Sequence, residues 1–104
     1  MPRAVAILIF LAAALPARAA SISDTEALAI VQKNCVMCHA AKPAHESFQE
    51  APKDVTLETI VEIKKHAAAV YTQAVQTKAM PLGNQTAMTD DERAALGRWL
   101  KGFP

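Results

Sequence analysis

Apolar residues recur along this chain at the spacing of helices and nowhere alternate as they do in strands. Ser23-Asp24-Thr25-Glu26 has the form of a capping box, and Ala27, Leu28 and Val31 follow on one face, predicting a first helix near 24–34. Leu57, Ile60 and Val61, opened by Thr56, predict a second helix near 57–66. Ala67, Val70, Tyr71, Ala74 and Val75 keep the helical spacing and lead toward Met80, either as a separate helix or as a continuation. Thr89-Asp90-Asp91-Glu92 is another capping box. After it Leu96, Trp99, Leu100 and Phe103 form an i, i+3, i+4, i+7 stripe, so a last helix is predicted near 90–101, with Gly102 placed to end it. The stretch from His39 to Thr56 holds Pro43 and Pro52 and reads as irregular loop. Without repeats or a linker, the pattern gives one all-α domain.

The start of the chain stands apart from this pattern. Met1-Pro2-Arg3 is a short basic opening, Ala4 to Leu15 are twelve consecutive apolar residues, and Pro16-Ala17-Arg18-Ala19-Ala20 follows. Such an order reads as a secretory signal peptide over 1–19, with Ala17 and Ala19 as the small residues before the cut. Twelve apolar residues are too few for the roughly 20 that a helix needs to cross a bilayer, and the rival reading, an uncleaved anchor, fits less well because a spanning helix should not stop at a proline followed by alanine and arginine. The domain proper is then 20–104. The expected location is the periplasm, with no stable membrane insertion after cleavage.

Composition sharpens the problem that the remaining 85 residues must solve. The full chain carries 11 Lys and Arg against 10 Asp and Glu, a formal charge of +1, without a block of like charges, which argues against a nucleic-acid partner. Losing Arg3 and Arg18 brings the charge to about −1. With four aromatic residues left, so small a domain buries little surface and commonly depends on a disulfide, a metal or a cofactor.

The two cysteines supply the candidate. They stand in Cys35-Val36-Met37-Cys38-His39. A disulfide across two intervening residues would close too short a loop to constrain much of the unfolded chain. A thioredoxin-like pair would need strands, and a zinc site would need more ligands than His45 and His66 offer at suitable spacing. Cys-x-x-Cys-His is instead the attachment signature of haem c. On a helical turn, positions 35, 38 and 39 face the same way, so two thiols can bond the two vinyl groups of one porphyrin while His39 reaches its iron. One covalently bound haem c is the expected cofactor.

An electron-carrying haem calls for a second axial ligand. Met37 lies between the cysteines, where a helix would turn it away from the iron. Met80 precedes Pro81, which forces an extended backbone able to present a side chain inward. Met88 immediately precedes the last capping box and is expected to pack there. Met80 is therefore the first candidate for sixth ligand and Met88 the second. His45 reads as a solvated loop residue and His66 as a polar residue near a helix end.

Cys35 to His39, the later Met80-Pro81 and the Thr89-Asp90-Asp91-Glu92-Arg93-Ala94-Ala95-Leu96 helix resemble a class I c-type cytochrome. Cys-Val-Met-Cys-His-Ala, Ala51-Pro52-Lys53-Asp54-Val55, Gln73-Ala74-Val75 and the run Ala79 to Thr89 also resemble the C-terminal cytochrome c domain of bacterial membrane-bound urate oxidase. The resemblance implies first and last helices that cross beside the haem, with Ala27 and Val31 meeting Leu96 and Trp99. It further implies a proline carbonyl, from Pro52 or alternatively Pro43, accepting the hydrogen bond of the proximal imidazole. The membrane enzyme carries a large multispanning domain ahead of its cytochrome, whereas a signal peptide is read here, so urate chemistry residing in that domain does not carry over.

Two classes of function follow. One is a periplasmic monohaem electron carrier, not an enzyme, with His39 and Met80 on the iron and redox proteins as partners, a membrane-bound donor or acceptor among them. A urate-oxidising membrane protein is a candidate donor. The other is a haem enzyme or ligand sensor whose sixth iron site is open or weakly held.

Overall fold

In the computed structural model, which describes residues 3–9 and 21–103, Ser23 opens the first helix by accepting a hydrogen bond from the Glu26 amide at 3.1 Å. Helix α1 spans Asp24–Asn34, as the capping box predicts, and Cys35 closes it. Residues 3–9 hold no helix or strand and are exposed, and the cleavage site after Ala19 lies outside the described residues.

Helix α2 covers Ile60–Lys65, starting later than predicted. Its N-cap is Thr59 rather than Thr56, because Thr59 and Glu62 cap one another reciprocally. Thr56 donates its hydroxyl to the same Glu62 carboxylate from outside the helix. Leu57, expected inside the helix, is instead buried in the segment leading to it. His66, at φ −105° and ψ 17°, separates α2 from α3, Ala67–Val70, so the second apolar stretch is a distinct helix. It continues as a π-helical stretch over Tyr71–Gln76. Helix α4 spans Asp90–Leu100, its Thr89–Glu92 capping box formed in both directions.

Among the described residues there is no strand, and the domain is all-α. The predicted meeting of α1 and α4 is observed: Ala27, Val31 and Leu96 are fully shielded from solvent, and Trp99 and Leu100 are buried in the same cluster. The Trp99 indole donates to Asp24 Oδ1 at 3.0 Å, fastening the end of α4 to the start of α1. Gly97 lets α4 approach the π-helical stretch, since a Cβ there would stand 2.9 Å from Val75 Cγ1. These contacts leave the segments 35–59 and 77–89 to enclose a cavity beside the helices.

Candidate haem site

Cys35 is the first residue beyond α1, and its carbonyl accepts hydrogen bonds from the amides of Cys38 at 3.2 Å and His39 at 2.9 Å. One further helical turn is thereby made, which is what gathers 35, 38 and 39 on one side. All three line a cavity of about 370 Å³, whose walls include Phe48, Val55, Leu57, Val70 and Ala74. Both thiols are free. Burial pushes Cys35 up to about 11, with the Arg93 charge opposing and the neighbouring Cys38 adding to the rise; burial also raises Cys38.

The His39 Nδ1 donates to the carbonyl of Val55 at 2.8 Å, so in the neutral ring Nε2 is the nitrogen available as a ligand. The acceptor is therefore neither Pro52 nor Pro43. The Pro52 carbonyl is occupied inside a tight turn, Pro52–Asp54, where it accepts the Val55 amide at 3.1 Å. That turn swings the Val55 carbonyl to the imidazole instead. The Leu57 amide in turn donates to the His39 carbonyl at 2.8 Å.

Met80 lines the same cavity, half-buried. Its amide donates to the Gln73 carbonyl at 2.9 Å, and its own carbonyl accepts from Arg93 Nη1 at 2.8 Å. Met88 packs in the hydrophobic core at 4% exposure, the role expected of it beside the last helix. Met37, expected to turn away, is 40% exposed and borders the cavity at its rim.

Several contributors escape sequence reasoning. His45 is half-buried and lines the cavity rather than standing in solvent. Its Nδ1 accepts the Ser47 amide at 3.1 Å, so its Nε2 carries the proton and donates to Gln85 Oε1 at 3.2 Å, and its ring lies 5.6 Å from that of Phe48. Asn34 is buried at the end of α1. It donates to the Ile30 carbonyl at 2.9 Å and to Glu92 Oε2 at 3.1 Å, and accepts from Thr86 Oγ1 at 2.8 Å. Glu92 also holds Lys33 at 2.7 Å, so α1, α4 and the loop after Met80 are stitched together. Arg93 is buried, and its position on the Leu96 and Leu100 face of α4 was the available signal.

Two thiols, an imidazole with one free nitrogen and a thioether, collected in one apolar-walled cavity, suit a covalently held haem. Among the described residues, no group of three or more His, Cys, Asp or Glu side chains is arranged to hold a bare metal ion. Residues 25–103 match the family model described as Cytochrome c. The chain belongs to the cytochrome c family. As a cytochrome c it takes covalently attached haem c, and one haem accords with a single small domain. No curated protein and no solved structure matches this cytochrome c at a significant level. None of its helices among the described residues is long and apolar enough to cross a membrane.

Proposed function

We propose that this cytochrome c is an exported, periplasmic one-electron carrier rather than an enzyme. Cys35 and Cys38 would hold its haem through thioethers, and His39 and Met80 would be the ligands of its iron. The observation that carries this reading is the sharing of one cavity by the two free thiols, the imidazole and the Met80 thioether, while Met88 is committed to the core. When bound, the haem would supply a one-electron ferric–ferrous couple, whose potential a methionine ligand beside histidine would raise. The chain's residues do the rest. Val55 fixes the orientation and tautomer of His39, and Phe48, Val55, Leu57 and Val70 give the cavity apolar walls that would exclude water from a bound haem.

Export is supported by the basic start, the twelve-residue apolar run and the small residues at 17 and 19. For the donor, the likeness of the 79–89 run to the cytochrome domain of membrane-bound urate oxidase supports a separate urate-oxidising membrane protein. The test is to purify the exported holoprotein, add it oxidised to host membranes, and follow haem reduction with and without urate. Reduction that depends on urate is expected. Reduction by respiratory substrates alone would remove the urate link and leave the carrier role. A ferric spectrum without the long-wavelength sulfur-to-iron band would remove the carrier role as well.

A further inference from the structure

Arg93 is 6% exposed and, among the described residues, meets no carboxylate within salt-bridge distance; its acceptors there are neutral oxygens. A buried guanidinium without an acidic partner is costly, so its place here calls for a role. Nη1 donates to the Ala74 carbonyl at 2.6 Å and to the Met80 carbonyl at 2.8 Å, and Nη2 lies 3.4 Å from Asn84 Oδ1. The three acceptors come from before, at and after Met80. Asn84 passes the restraint on, since its Oδ1 also accepts the Met88 amide at 3.0 Å and its Nδ2 donates to the Met88 carbonyl at 3.3 Å. Arg93 itself projects from α4, which is fixed by its capping box and by burial against α1.

We propose that Arg93 is the positioning residue for the sixth ligand: its guanidinium fork ties the Met80 segment to α4 and keeps the thioether on the iron. The inference rests on the reading of Met80 as axial ligand. A planar fork reaches several fixed acceptors at once, which a lysine ammonium on its flexible stem does not reproduce. Removing it leaves the Met80 and Ala74 carbonyls short of a donor and frees the segment to swing away. An external ligand then finds the iron accessible for a larger fraction of the time, and its apparent affinity rises in proportion.

The test compares wild type, Arg93→Met, Arg93→Lys and Met80→Ala as ferric holoproteins, with Leu100→Ala as a core truncation on the same helix. Cyanide affinity and the sulfur-to-iron band are measured at a temperature where far-ultraviolet circular dichroism is native for each. Arg93→Met is expected to weaken the band and tighten cyanide binding by on the order of tenfold, with Arg93→Lys intermediate and Leu100→Ala within about twofold of wild type. Should Arg93→Met fail to fold, Arg93→Lys decides, with a tightening of about threefold or more expected. Folded Arg93 variants that keep the wild-type band and affinity overturn the proposal, as does an equal shift in Leu100→Ala. A band absent from wild type, or surviving in Met80→Ala, overturns the axial reading and this inference with it. A band lost in Met80→Ala but intact in the Arg93 variants overturns this inference alone.

Discussion

The Nδ1 of His39 lies 2.8 Å from the carbonyl oxygen of Val55, so the candidate proximal ligand is oriented by a loop and not by the helix that precedes it. Leu57 anchors that loop, being 3% exposed and donating its amide to the His39 carbonyl. Leu57→Ala is expected to destabilise the holoprotein by about 2 to 5 kcal/mol in denaturant titration, the usual cost of such a core truncation. Proton exchange at His39 Nδ1, followed by NMR in the reduced protein, is expected to quicken. Unchanged exchange in a destabilised variant would mean that Val55 is held by something other than Leu57.

The two methionines separate cleanly by substitution. Met80→Ala is expected to abolish the sulfur-to-iron band, lower the reduction potential and admit cyanide or carbon monoxide. Met88→Ala is expected to keep the band while losing about 2 to 5 kcal/mol of stability, because Met88 fills the core. The reverse pattern in absorption spectra would exchange their roles.

Glu92 gives the fold an acid limit. Partial burial alone would raise its carboxyl, but hydrogen bonds from Lys33, the Thr89 amide and Asn34, with the Lys33 charge, outweigh that and hold it at about 2, below the ordinary 4.5. A depressed carboxyl contributes stability that is fully present above its unfolded value and is lost as pH falls through the folded one. The loss therefore runs from about pH 5 down to about 2. Guanidinium unfolding of wild type and Glu92→Gln across this range is expected to show a difference of about 1 to 2 kcal/mol at pH 6, after solvent screening, that closes toward pH 2. A gap that stays constant with pH would show that Glu92 acts through its neutral hydrogen bonds alone.

Helices α1 and α4 were legible because each begins at a side-chain N-cap, Ser23 and Thr89, and carries a clear apolar face. For α2, two threonines competed as caps, and Glu62 three residues beyond Thr59 was the deciding signal that the apolar count from Leu57 obscured. Three of the four candidate site residues stand in one motif, and Met80 followed from the proline after it. The carbonyl facing His39 was not legible, because it depends on a turn in which Lys53 and Asp54 both adopt φ 58° with no glycine to announce it. His45 and Asn34 were missed for a related reason. Their roles are set by partners 40 and 52 positions along the chain, Gln85 and Thr86, which only the closed loops bring near.

Charge around the cavity bears on how electrons reach it. Among the described residues lining it, Lys53 is the one Lys, Arg, Asp or Glu side chain, whereas Met37, Pro81 and Leu82 give its rim apolar surface. Elsewhere three lysines pair with acidic neighbours, Lys33 with Glu92, Lys64 with Asp24 and Lys78 with Asp90. Strong steering by a charged face raises association rates by 10- to 10³-fold at low salt and is screened over roughly 8 Å at physiological ionic strength. Lacking such a face, the carrier is expected to exchange electrons with a protein partner through a small apolar contact of the transient class. Oxidation of the ferrous protein by hexacyanoferrate(III), an anion, and by tris(phenanthroline)cobalt(III), a cation, provides the measurement by stopped flow. Both rates are expected to change by less than about tenfold between low and physiological salt, with the two reagents differing little in slope. A steep fall with salt for the anion alone would locate a lysine cluster beside the electron-transfer edge and replace apolar docking with charge steering.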